Sequence, residues 1–230
     1  MEPLVFLPGM MCDARLFAPQ TEALSRARAV QVGCLAGHDS IRDIAAAVLA
    51  AAPGKFALAG LSLGAIVAME VIRKAPDRVT RLALMACDPL SDTPDMAGAR
   101  EQLMARAKAG RLEDVLRDFL PSACLAPGPG RAALQDRFVA MGQGAGADQF
   151  VAQSRALQRR PDQQGTLRRV RVPTLVMGGA HDRMCPPRRH EFMAELIPDA
   201  SLTILPEAGH LLTLEDPAGS LQALTAWLNA

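Results

Sequence analysis

The stretch Gly60-Leu61-Ser62-Leu63-Gly64 limits the fold of this chain more than any other, because of what flanks it. Before it runs Phe56-Leu61, short and apolar like a buried strand, and after it runs Leu63-Lys74, apolar at helical spacing and closed by Pro76. A strand that turns directly into a helix crowds its own backbone. The residues two before and two after the apex must then lack a large side chain, and the apical serine is pushed outward. In a chain with eight serines and 18 glycines, chance would supply both flanking glycines only ~0.05 times. The plainer alternative is a glycine-rich turn with a capping serine.

The same alternation recurs along the chain. Leu4-Leu7, Ala29-Cys34, Arg81-Cys87, Thr174-Met177 and Ser201-Leu205 read as further strands. Ile41-Ala52, capped at Asp39-Ser40, reads as a helix, as do Arg188-Ile197 and Ala218-Leu228. Half the residues are hydrophobic, enough for a buried core, so the expectation is an α/β fold: a mostly parallel central sheet flanked by helices. Between about residues 93 and 166 the strand rhythm stops. There the spacing predicts helices over Ala97-Ala109, Leu112-Leu120, Ala132-Met141 and Gln149-Arg159, broken at Pro121, Pro127-Gly128-Pro129-Gly130 and Gly142-Gln143-Gly144-Ala145-Gly146. The expected organisation is a core of residues 1–92 and 167–230 carrying a helical cap, or lid, of 93–166 over the strand ends, where open α/β sheets bind ligands.

A serine hydroxyl needs an oriented base to act as a nucleophile. Of four histidines, His210 fits best: it follows the Ser201-Leu205 strand, and Gly209 leaves room for a loop to carry the imidazole back toward Ser62. The third member is a carboxylate that holds the histidine tautomer. Asp182, just past Thr174-Met177, is favoured, with Asp88 as the competitor, whereas Glu207 and Asp216 read as surface or capping carboxylates. The chain order Ser62, Asp182, His210 is the one this nucleophile turn uses. Two backbone donors are expected for an oxyanion: the N–H of Leu63, and that of Met10 after Pro8-Gly9, with Met11 as the fallback.

Leu7-Pro8-Gly9-Met10-Met11, Gly60-Leu61-Ser62-Leu63-Gly64, Pro173 to Asp182 and Gly209-His210 together resemble the α/β-hydrolase fold superfamily, specifically its small capped serine esterases. The resemblance spans almost the whole chain and is weakest over 93–166, which corresponds to the family's variable lid. It implies a mostly parallel sheet flanked by helices and no cofactor. The family usually has His-Gly in the loop after the first strand. Here Pro8-Gly9 keeps the backbone donor but lacks a side chain that helps order the loop.

The function expected is hydrolysis of a small to medium carboxylic ester through an acyl-enzyme on Ser62. The same three residues would also serve a lactone, a thioester or a carbon–carbon bond, and a non-catalytic ligand-binding protein is the rival class. Met11, Phe119, Phe138 and Met141 are the candidate substrate-binding side chains, and Arg155, Arg159 and Arg160 could meet a substrate anion. A metal cluster of His181, Asp182, Cys185 and His190 is the less favoured alternative, interrupted by Pro186-Pro187. A net charge of +1 without basic runs argues against nucleic acid. No apolar run reaches a membrane span, and the N-terminus lacks a basic leader. Five scattered cysteines without a CxxC pair suggest no disulfide framework. The expectation is a cytoplasmic monomer or homodimer acting on a small molecule.

Overall fold

In the computed structural model, which describes residues 1–230, six strands form one sheet: β1 (Leu4–Leu7), β2 (Val30–Val32), β3 (Phe56–Leu61), β4 (Val79–Met85), β5 (Thr174–Gly179) and β6 (Ala200–Leu205). All pairings are parallel, and the spatial order is β2-β1-β3-β4-β5-β6. Every side chain of β1, β3 and β5 is buried, as a parallel strand covered on both faces requires. The sheet class agrees with the sequence reading, though β2 is shorter than expected and β4 begins and ends two residues earlier.

The helices are α1 (Ala18–Leu24), α2 (Ile41–Ala51), α3 (Leu63–Lys74), α4 (Pro94–Lys108), α5 (Leu112–Phe119), α6 (Arg131–Ala145), α7 (Ala147–Gln158), α8 (Gln164–Leu167), α9 (Pro187–Leu196), α10 (Leu212–Glu215) and α11 (Pro217–Asn229). Right-handed crossovers decide which face each covers. The chain moves outward from β1 to β2 through α1, then back over β1 through α2 to β3 and onward through α3, so α1 lies opposite α2 and α3. Helix α11 packs on α1 and closes that face.

Helices α4 to α8 all lie between β4 and β5. Helix α6 does not stop at Met141 but runs through Gly142-Gln143-Gly144 to Ala145. Tertiary packing overrides the glycine signal there: a Cβ on Gly142 would sit 2.6 Å from the Leu116 methyls, so the glycine is what lets α5 and α6 approach. The short helices α1, α8 and α10 had no clear periodic signal.

The strand order reverses beside β1, whose neighbours are β2 and β3, so a crevice opens at the carboxyl ends of β1 and β3. Leu7 and Gly60 are register partners at that edge. The turn glycines are set by close approach: a Cβ on Gly60 would run into the Gly64 carbonyl, and one on Gly64 into the carbonyl of Leu7. Gly64→Ala is therefore expected to destabilise the fold by roughly 3 kcal/mol. Gly144→Ala, with nothing within 4 Å of the new methyl in a helix, should instead stabilise by about 0.5–1 kcal/mol. Urea midpoints of the two variants check both signs.

Candidate active site

Ser62 sits at the apex between β3 and α3 with φ +55° and ψ −117°, a conformation that L residues rarely hold. Its N–H donates to the Met85 carbonyl (2.8 Å), which anchors the turn to β4. Leu63 is the first residue of α3, so its N–H has no acceptor within the helix and lies at the positive end of the helix dipole. The hydroxyl meets His210 Nε2 at 3.1 Å, and His210 Nδ1 meets Asp182 Oδ2 at 2.7 Å. Asp182 follows β5 and is fixed from its other oxygen, which accepts from the N–H groups of Met184 (2.8 Å) and Cys185 (2.9 Å). With the carboxylate facing Nδ1, the ring proton belongs there and Nε2 is free to accept the serine proton.

Ser62, Asp182 and His210 thus come from the ends of three different strands. Asp88, the competing acid, turns instead to Arg160 (3.6 Å) and to the N–H of Leu90 (2.9 Å). Arg159 pairs with Asp39 at the surface, and Arg155 is exposed. Arg160 is buried, lies 3.3 Å from Asp92 and lines a cavity beside Ser62.

The loop carrying His210 is clamped by a residue that sequence reasoning missed. Glu215 accepts from Gly209 N–H (2.9 Å), Leu211 N–H (2.8 Å) and Ala126 N–H (2.6 Å), so it grips both neighbours of His210 and a loop of the α4–α8 segment. His210's own N–H donates to the Cys124 carbonyl (2.8 Å). A Cβ on Gly209 would collide with that carbonyl, which explains the glycine. No periodicity or motif marks Glu215, because its three partners are backbone groups. Burial of the Glu215 carboxyl outweighs these bonds and holds it above the usual carboxylate range.

Burial disfavours a charged His210, but the Asp182 charge and hydrogen bond, with Glu215 beyond them, outweigh it and raise the imidazole above its ordinary 6.5. The ring should titrate above 6.5 in an NMR pH series, and Glu215→Gln, which removes one of the raising charges, should move that midpoint down.

At the end of β1, Gly9 brings the chain against the turn: a Cβ there would lie 3.6 Å from Ser62 Cβ. The Met10 N–H makes no hydrogen bond, whereas the Met11 N–H, the fallback donor, is taken by Gln153 Oε1 at 2.9 Å. Two small cavities touch Ser62. One, of about 70 Å³, is lined by Ile66, Phe119, Leu157 and Met184 together with Asp88, Arg100 and Arg160. The other, of about 10 Å³, lies among Met10, Phe119, Phe138 and His210. Phe119 borders both and contacts Phe138 and Phe150. Met11 and Met141, by contrast, are buried and line neither cavity; Met11 faces a separate one toward Cys34 and Gln149. A larger cavity, about 660 Å³, opens beyond Asp182 and His181 and does not touch Ser62.

Metal-ligating atoms of Asp182, Cys185 and His210 lie within 4.8 Å of one another, without His181 or His190. Their chemistry suits a metal poorly: Asp182 and His210 are already bonded to each other, and burial pushes the Cys185 thiol well up. His190 is fully buried against Gly178, and burial holds it below its ordinary value, so it stays neutral. No helix is long and apolar enough to cross a membrane.

Comparison with known proteins agrees with this architecture. The model of the alpha/beta hydrolase family matches residues 4–223. Among relatives, the pimeloyl-[acyl-carrier protein] methyl ester esterase of Chromobacterium violaceum is 27% identical over 244 residues, spanning 98% of this chain and 93% of that protein. The enzyme of the same name from Aromatoleum aromaticum is 28% identical over 93% of each chain. Among solved structures, a thermophilic esterase from Thermogutta terrifontis with bound malate superposes with a TM-score of 0.89 at 25% identity, over 100% of this chain and 90% of that one.

Proposed function

The chain belongs to the alpha/beta hydrolase family and is a carboxylic ester hydrolase, and we propose that it works through an acyl-enzyme on Ser62 with His210 as base and Asp182 as its partner. One observation carries this reading: the unbroken line from Ser62 Oγ to His210 (3.1 Å) to Asp182 (2.7 Å) at the apex of a strained turn.

In the first half-reaction His210 Nε2 takes the hydroxyl proton as Ser62 Oγ bonds to the ester carbon, and the carbonyl electron pair moves onto its oxygen. That oxyanion is received by the N–H groups of Leu63 and Met10. Collapse breaks the bond to the alkoxy oxygen, which leaves as an alcohol with the proton from His210. In the second half a water gives its proton to His210 and its oxygen to the acyl carbon. Ser62 is then released and reprotonated, and the acid departs.

The α4–α8 segment acts as the lid, and Phe119 and Phe138 bound the space for the acyl or alcohol group. The substrate is a small molecule, handled by a cytoplasmic monomer or homodimer. The names of the relatives direct the first substrate panel to methyl esters of medium-length acids, with lactones and thioesters alongside.

A fluorophosphonate should add once to the wild-type protein and not to Ser62→Ala, read by intact mass. On any ester that is turned over, Ser62→Ala and Asp182→Asn should each lower kcat by about 10⁴-fold or more. Wild-type turnover by Ser62→Ala would refute the reading. Because Phe119 stands between the two small cavities, Phe119→Ala should raise kcat/KM for longer acyl chains relative to acetate, measured across a p-nitrophenyl ester series.

A further inference from the structure

The loop after β1 has the oxyanion donor but lacks the ordering side chain that the resemblance leads one to expect, so something else must hold it. Its backbone makes a tight turn in which the Cys12 N–H donates to the Gly9 carbonyl at 3.1 Å. Met11, the third residue of that turn, has φ +58°. A positive φ at this position belongs to a type II turn and suits glycine; a methionine alone would favour the type I form, in which the Met10–Met11 peptide is flipped. The peptide therefore needs an outside partner.

That partner comes from α7. Gln153, on α7 and 4% exposed, accepts from the Met11 N–H at 2.9 Å across 142 residues of sequence. The same side chain donates from Nε2 to the Leu35 carbonyl at 3.3 Å. Gln149, one turn earlier, also donates to Leu35 (3.2 Å) and accepts from Gly37 N–H (3.2 Å). One face of α7 thus grips the loops after both β1 and β2. The Met10 N–H, in the preceding Gly9–Met10 peptide of the same turn, makes no hydrogen bond.

We propose that Gln153 is a positioning residue for oxyanion stabilisation: its hydrogen bond to the Met11 N–H pins the Gly9–Cys12 turn that also carries the Met10 N–H, and so makes the lid helix part of the catalytic apparatus. This rests on the reading of Ser62 as nucleophile. Gln153 touches no reacting atom. Its effect falls on the tetrahedral state, where the oxyanion exists, and not on ground-state binding or on the titration of His210.

The test compares Gln153→Met, which keeps the length and removes both polar atoms, with Gln153→Glu, which keeps an acceptor for the Met11 N–H. Loss of one oxyanion donor costs about 10²–10³-fold in kcat, so displacement of one by Gln153→Met should lower kcat by roughly 10–100-fold. KM and the midpoint of the kcat/KM pH profile should stay unchanged. Affinity for a trifluoromethyl ketone, which forms a tetrahedral adduct, should fall in step with kcat. Gln153→Glu should recover most of the loss, and it serves as the informative variant if Gln153→Met folds poorly. Wild-type kcat in Gln153→Met, or a Gln153→Glu protein as impaired in kcat as one with no acceptor, overturns the inference. Ser62→Ala run in parallel separates the two failures: turnover that survives it removes the nucleophile reading and this inference together, whereas Ser62-dependent turnover indifferent to Gln153 removes the inference alone.

Discussion

The crossing of the β1 end over the start of α3 is the contact on which the site depends. Leu7 and Pro8 lie so near Gly64 that no side chain fits there, and Gly60 lies as near Gly64 from below. With both approaches closed to a Cβ, the backbone between them must turn within one residue, and Ser62 takes the strain as a positive φ. The strain is held by packing: Leu61, Leu63 and nearly all of α3 are buried. The same crossing brings Gly9 against Ser62, so the Ser62 turn and the loop with the free Met10 N–H are placed by a single steric constraint.

Around that fixed point the remaining groups are held by hydrogen bonds from elements remote in sequence. Asp182 is oriented by two N–H groups of its own loop, while His210 is oriented by Asp182 on one side and by Glu215 and the Cys124 carbonyl on the other. Two of these ties come from the segment between β4 and β5: Cys124 accepts from His210, and Ala126 shares Glu215. Gln153 adds a third, at Met11. A segment whose sequence looks like a detachable insertion is therefore bonded to two of the loops that surround Ser62.

The core elements were legible because their signals are local. Phe56-Leu61 and Leu63-Lys74 announce themselves by apolar period and by the glycines that a sharp turn demands, and the observed bounds of β3 and α3 coincide with them. Gly142 and Gly144 misled for the complementary reason. A glycine in a sequence signals a break unless a neighbour needs the space, and Leu116, 26 positions away in the chain, needs it at Gly142. Met11 and Met141 are buried and line neither cavity at Ser62, and apolar type in a sequence does not distinguish a residue lining a cavity from one filling the core.

The sequence by itself determined the parallel α/β class, the turn that exposes Ser62, and the chain order of serine, carboxylate and histidine, since each is written in spacing or in residues that only one backbone shape accepts. Tertiary structure decided what spacing cannot encode: that Asp182 and not Asp88 meets His210, that Met10 and not Met11 keeps its N–H free, and that Glu215 and Gln153 hold the loops. The physical reason is the same in each case. These choices are hydrogen bonds to backbone groups or between loops far apart in the chain, and such bonds come into being only when the strand ends are brought together.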